Sequence, residues 1–251
     1  MCIRDSIKTF YLKEKNIDAR TDSSQDALLV KIETDNGIEG WGEVDGCPSV
    51  TNAIINAPFS HTLVNGLKNI IVNENPLEIE YLWNKMYEST LYFGRSGAVI
   101  QAMAGIDIAL WDIKGKRLNL PIYELIAGKT RDKVRCYIHV SGNETDDLVL
   151  DAKNKVDQGF TAIRFSPYSE NFHLYKSLSE WINDAHNRIS AVIDEVGNNV
   201  DICIEIHRQM NPAESISLAK KLDKFDIYFY EDPMLPDSPL VMKQIKDHRS
   251  Y

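Results

Sequence analysis

Asp201-Ile202-Cys203-Ile204-Glu205-Ile206-His207-Arg208 and Asp226-Ile227-Tyr228-Phe229-Tyr230-Glu231-Asp232-Pro233 are apolar, β-branched and aromatic runs that each lead into a carboxylate. Both are too short and too apolar for surface helices and read as buried parallel strands. Between them, Asn211-Pro212-Ala213-Glu214 opens an amphipathic stretch through Leu218 and Leu222, with Asn211 as N-cap and Pro212 at the first helical position. Strand, helix and strand make one βαβ unit. Its strands lie parallel, so Glu205 and Glu231 emerge at the same face. Two hard oxygen donors converging there suit Mg²⁺, and both glutamates are candidate metal ligands. The plainer alternatives are an ion pair of Glu205 with Arg208 or Arg164, and an ordinary acidic turn at Glu231-Asp232-Pro233.

Outward from this unit the same alternation continues upstream. Val134 to Val140 reads as a strand, Asp146 to Gln158 as a helix, Thr161 to Phe165 as a strand, and Leu174 to Val196 as one long or broken helix. Four strands alternating with helices predict a parallel α/β architecture. The first part of the chain differs. Ala27 to Thr34 and Glu39 to Val44 flank Asp35-Asn36-Gly37, a strong hairpin signal. Pro76 to Leu125 then reads as helical, with Leu82, Trp83 and Met86 on one face and Ile106, Ala109, Leu110 and Ile113 on another. Pro121 and Gly128 punctuate its end. The expected division is an α+β domain over 1–130 and an α/β domain over 131–251. Met1 to Ser6 read as foreign to the fold, because apolar alternation starts only near Ile7.

A doubly wound sheet and a (β/α)₈ barrel both satisfy this pattern. No Gly-x-Gly-x-x-Gly follows any strand, so the phosphate-cradling turn of a dinucleotide fold is missing. Polar residues cluster instead at successive strands: Ser141, then Arg164, then Glu205 with His207, then Glu231. That distribution suits a barrel, whose site is assembled from the C-terminal ends of many strands.

Composition bounds the partners. At 251 residues and 43 % hydrophobic, the chain can bury a sizeable core. A formal net charge of −9 disfavours nucleic acid and anionic membrane as partners. No stretch reaches the ~18 apolar residues of a membrane helix, and the N-terminus lacks an apolar signal region, so the expected location is the cytoplasm. Cys2, Cys47, Cys136 and Cys203 are scattered without Cys-x-x-Cys spacing and read as reduced core or near-core residues.

Four segments in order carry a family resemblance: Asp35-Asn36-Gly37-Ile38-Glu39-Gly40-Trp41-Gly42-Glu43, the helix from Ala104 to Lys116, the connector Leu120 to Gly128, and Glu231-Asp232-Pro233. Together they resemble the mandelate racemase and muconate lactonizing branch of the enolase superfamily. Within it, Glu205-Ile206-His207-Arg208 followed by Asn211-Pro212 is similar to mannonate and galactonate dehydratase-like sugar-acid dehydratases, which carry an acidic-x-His arrangement on the third barrel strand. The resemblance implies an α+β capping domain and the first half of a TIM-type (β/α) barrel. It also implies Mg²⁺ held by carboxylates, removal of the proton next to a substrate carboxylate, and loss of the neighbouring hydroxyl as water to give a 2-keto-3-deoxy sugar acid. Racemases and cycloisomerases of the branch are the alternative; those relatives more often carry a Lys-x-Lys pair on the second strand, where this chain has Ala162-Ile163-Arg164-Phe165-Ser166. A non-catalytic sugar-acid or metal-binding protein is the third reading.

His207 lies two residues beyond Glu205, so on a regular strand the two side chains share a face. An imidazole there suits general acid work at neutral pH. Arg164 pairs with Glu205 or contacts substrate, and Tyr168 is a candidate proton donor or acceptor. His139 reaches the site or only packs. Arg20 and Asp45 are candidate substrate contacts, in segments that correspond to the family's capping-domain loops. The ligand at position 205 is Glu where the family often has Asp. The family's third metal ligand and its later bases would lie beyond Tyr251, so the chain reads as a fragment, expected to be inactive alone. When full length it is expected to be a homo-oligomer, as its relatives commonly are.

Overall fold

The computed structural model describes residues 1–16, 25–168 and 177–248, with two compact units, Met1–Asp132 and Lys133–Tyr251. In the first, β1 (Ile3–Leu12), β2 (Ala27–Thr34) and β3 (Glu39–Val44) form an antiparallel sheet in that order. Asn36 and Gly37 turn β2 into β3, with Gly37 at φ 84° and the Thr34 hydroxyl within reach of Asn36 Oδ1 and the Ile38 carbonyl. Strict alternation on β2 buries Leu28, Val30, Ile32 and Thr34. That face packs on the helices α1 (Pro48–Asn56), α2 (Leu67–Ile71), α3 (Ile79–Ser89) and above all α4 (Ala98–Leu118), with α5 (Ile122–Ile126) following. Gly42 permits the closest approach: a Cβ there would overlap the Gly105 carbonyl of α4.

One expectation for this unit is resolved in more detail and one needs correction. The helical stretch from Pro76 to Leu125 is three helices, because Thr90 closes α3 with its hydroxyl on the Met86 carbonyl and Arg95 and Gly97 both take positive φ before α4. Met1 to Ser6 do not stand apart: β1 starts at Ile3, which is fully buried, lies opposite Thr34, and exchanges backbone hydrogen bonds with Asn73 and Glu74.

The second unit alternates β4 (Ile138–His139), α6 (Thr145–Asp157), β5 (Ala162–Phe165), α7 (Leu178–Val196), β6 (Asp201–Glu205), α8 (Pro212–Leu222), β7 (Ile227–Glu231) and α9 (Pro239–Asp247). The strands form one parallel sheet in chain order. Ile163, Phe165, Ile202 and Ile204 of the sheet share a core with Ala185, Ile189 and Val192 of α7 and Leu218 and Leu222 of α8. Asn211 caps α8 through a reciprocal capping box with Glu214, which satisfies two of the donors the helix start leaves open.

The strand expected over Val134 to Val140 shrinks to two residues. Its would-be partner β5 begins only at Ala162, and the Thr161 carbonyl already accepts from Arg135 Nη2 and the Asp201 N–H. Val134 and Tyr137 are therefore exposed. The long helix starts at Leu178, with Ser177 as its N-cap; positions 174–176 lie outside the described residues. Of the four cysteines only Cys203 is buried; Cys2, Cys47 and Cys136 are exposed, and all four are free. Among the described residues no helix is long and apolar enough to cross a membrane.

Candidate active site

Glu205 and Glu231 are the last residues of β6 and β7 and stand opposite each other in the ladder. This alignment depends on an irregularity. Ile202 faces Ile227, but Cys203 faces Phe229, so Tyr228 is an extra residue on β7. Were the first register continued, Glu205 would face Tyr230 and Glu231 would fall one position further on, on the other side of the pleat. The bulge brings the two carboxylates level, and Tyr228 is exposed in consequence.

Arg164, on the neighbouring strand β5, lies between these carboxylates. Its Nη2 pairs with Glu205 Oε1, and its Nε donates to Glu231 Oε2 at 2.5 Å. Its Nη1 donates to His139 Nε2 at 2.7 Å, and the guanidinium lies 5.8 Å from the centre of the Tyr137 ring. Arg164 and Glu205 are both buried, while Glu231 is half-buried. The ion pair foreseen for Glu205 thus forms with Arg164, while Arg208 pairs with Asp232 instead, Nη1 to Oδ2 at 2.6 Å. His139 is an exposed residue that reaches the cluster through Arg164.

His207 Nδ1 stands 3.0 Å from Glu205 Oε1, so the two side chains meet as expected but for a different reason. Strand β6 ends at Glu205, and His207 and Arg208 both adopt left-handed backbone, φ 57° and 62°. A tight turn, not strand alternation, folds the imidazole back onto the carboxylate. Tyr168, expected to exchange protons with substrate, has its hydroxyl directed to the Ile206 carbonyl at 2.7 Å. Burial pushes its phenol up to about 12, which makes it a poor proton relay at neutral pH. Asp45 is exposed on the loop after β3 in the first unit, and Arg20 lies outside the described residues. Sequence reasoning missed Asp232 as the partner of Arg208; the signal was there, as a second acid one residue beyond Glu231. Among the described residues no group of three or more His, Cys, Asp or Glu side chains is arranged to hold a metal ion.

Residues 9–127 match the mandelate racemase/muconate lactonizing enzyme N-terminal domain, and residues 147–250 match the enolase C-terminal domain-like family. The chain belongs to the mandelate racemase/muconate lactonizing enzyme family of the enolase superfamily. Within that family, a D-galactonate dehydratase of Verminephrobacter eiseniae (strain EF01-2) is 33 % identical over 213 residues, covering 84 % of this chain and 52 % of the relative. The chain thus spans about half the length of the curated relatives it matches. Among solved structures, an enolase superfamily member from Salmonella Typhimurium aligns with TM-score 0.79 and 29 % identity, over 90 % of this chain and 62 % of its own. The 3,6-anhydro-D-galactonate cycloisomerase of Zobellia galactanivorans aligns with TM-score 0.79 and 27 % identity, over all of this chain (100 %) and 64 % of its own. Against these neighbours the fold is an N-terminal capping domain followed by a partial α/β barrel.

Proposed function

We propose that the chain carries part of the active site of a Mg²⁺-dependent sugar-acid dehydratase, with Glu205 and Glu231 as two of the metal ligands and His207 as the general acid. The observation that supports this most is the level placement of Glu205 and Glu231 at the ends of adjacent parallel strands, with His207 Nδ1 3.0 Å from the first. The D-galactonate dehydratase relatives support the substrate class, a polyhydroxylated acid of about that size.

The donor set fits a divalent ion, as superfamily members typically hold. Two carboxylates offer hard oxygens, and the Arg164 guanidinium between them supports a preference for positive charge there. Bound there, Mg²⁺ would supply Lewis-acid stabilisation of negative charge on a substrate carboxylate. Arg164 competes for the same oxygens and, once displaced from one of them, has donors to orient a substrate carboxylate or hydroxyl. Glu205 fixes His207 through Nδ1, which leaves the opposite ring nitrogen to carry a proton to a departing hydroxyl. Tyr168 holds the backbone of the turn that presents His207. A cycloisomerase is the second reading, favoured by the Zobellia neighbour.

Incubation with D-galactonate and related six-carbon sugar acids, with Mg²⁺ or with EDTA, tests the proposal. For this chain the expected readout is Mg²⁺-dependent binding of the sugar acid, lost with EDTA and in Glu231→Gln; the 2-keto-3-deoxy acid is expected only where the third metal ligand and the later bases are also supplied. An isomer formed without loss of water would favour the cycloisomerase. In a protein that supplies those groups, tight binding with no turnover and no exchange at the carbon next to the carboxylate would favour a non-catalytic binder.

A further inference from the structure

We propose that Arg208 and Asp232 form a positioning clasp that sets the His207 imidazole against Glu205. The inference rests on the reading of His207 as the proton-transferring group. His207 and Arg208 are consecutive non-glycine residues in the left-handed region, and Asp232, beside them at the end of β7, has φ 43°. Side chains with a Cβ occupy that region at a cost, and such conformations persist only where surrounding structure over-determines them.

Here the determinants are visible. The parallel ladder continues past both strands, with the Ile206 N–H donating to the Glu231 carbonyl at 3.0 Å and the Arg208 N–H to the Asp232 carbonyl at 2.7 Å. The Arg208 guanidinium then closes on the Asp232 carboxylate at 2.6 Å. From the other side Tyr168 donates to the Ile206 carbonyl at 2.7 Å, and the Gln209 N–H donates to the same carbonyl at 3.2 Å. The turn is gripped between the two. His207 lies in the gripped segment, so the direction of its Cα–Cβ bond is set by contacts it does not itself make. An ionised carboxylate only accepts, so Nδ1 is the nitrogen that donates to Glu205 and the opposite ring nitrogen faces away from it. Asp232, though one residue from Glu231, serves as the anchor of Arg208.

The test uses the full chain labelled with ¹⁵N-histidine, reading the tautomer of His207 from long-range ¹H–¹⁵N couplings after assignment with His207→Gln. The wild type is expected to hold the Nδ1–H form. Arg208→Gln and Asp232→Asn are each expected to shift the tautomer ratio about fivefold towards Nε2–H, the factor set by one ordinary hydrogen bond of about 1 kcal/mol. Arg208→Lys should restore part of the shift. Arg208→Gly accepts φ 62° without strain but has no guanidinium, so it should keep its melting temperature and still show the shift. It also carries the test if the glutamine variant fails to fold. An unchanged tautomer in these variants, with only the melting temperature moved, overturns the clasp, as does a shift for Arg208→Gln without one for Asp232→Asn. No turnover is needed. A chain that binds neither Mg²⁺ nor the sugar acid but whose tautomer shifts as described keeps the clasp and loses the dehydratase reading.

Discussion

Arg164 places one positive charge between two carboxylates, and its removal leaves the buried Glu205 facing the half-buried Glu231 without a counter-charge. Taking one partner from a buried ion pair typically costs about 3–5 kcal/mol, since the remaining charge is left uncompensated. Arg164→Met is therefore expected to lower unfolding free energy by that order in metal-free buffer. Millimolar Mg²⁺ should restore more stability in the variant than it adds to the wild type, because the guanidinium no longer competes. Urea titrations with and without Mg²⁺ check both halves; an equal Mg²⁺ effect on the two proteins would remove Glu205 and Glu231 from the metal site. Tyr168 gives a pH signature of a different kind. Its folded pKa of about 12 lies above the ordinary tyrosine value of 10, so its contribution is whole below pH 10 and declines as pH rises through 12, because the unfolded chain ionises first. At pH 11 the loss is about 1 kcal/mol. Tyr168→Phe should lack that part of the alkaline decline, measured as the difference between the two proteins at pH 9 and pH 11.

At the scale of elements, Gly42 makes a sharp case. The Gly-x-Gly of β3 does not mark a phosphate turn; it lets the sheet lie on the α4 backbone, where a Cβ at Gly42 would meet the Gly105 carbonyl and the Ala109 amide. Backbone cannot rotate aside as a side chain can. Gly42→Ala is expected to destabilise the first unit by roughly 2–3 kcal/mol through overpacking, read from its denaturant midpoint. The hairpin, the βαβ unit around α8 and its N-cap at Asn211 were all legible in the sequence, because turn chemistry, capping residues and apolar period act over a few neighbouring positions. The bulge at Tyr228 was not, since it exists only where two strands are compared. Nor was the left-handed turn at His207: two non-glycine residues carry no local signal for it, and its cause is the contact with Asp232 across the sheet. The site residues could thus be named from one strand at a time. What brings them together could not.

For the molecule as a whole, the two units have separate cores, one centred on Leu28, Ile106 and Leu110 and the other on Ile163, Ile189 and Ile204. The residues from Lys129 to Tyr137 join them, exposed throughout and without helix or strand. Arg135 in this stretch is tied down by Asp201 and Thr161, and Lys129 pairs with Asp132. Arg131 and Lys133 have exposed backbone around them and, among the described residues, no such anchor to the sheet. Proteases need several residues of extended, locally opened chain, and segments lacking buried contacts provide it most cheaply. Among the described residues, brief trypsin treatment is therefore expected to cut earliest at Arg131 and Lys133. Each product should then resist further digestion in proportion to its own core. The cuts are read by mass spectrometry against time. Earlier cutting within α4 or α7, at Lys114 or Arg188 for instance, would mean that a core opens more readily than the connector, against the division into two independently packed units.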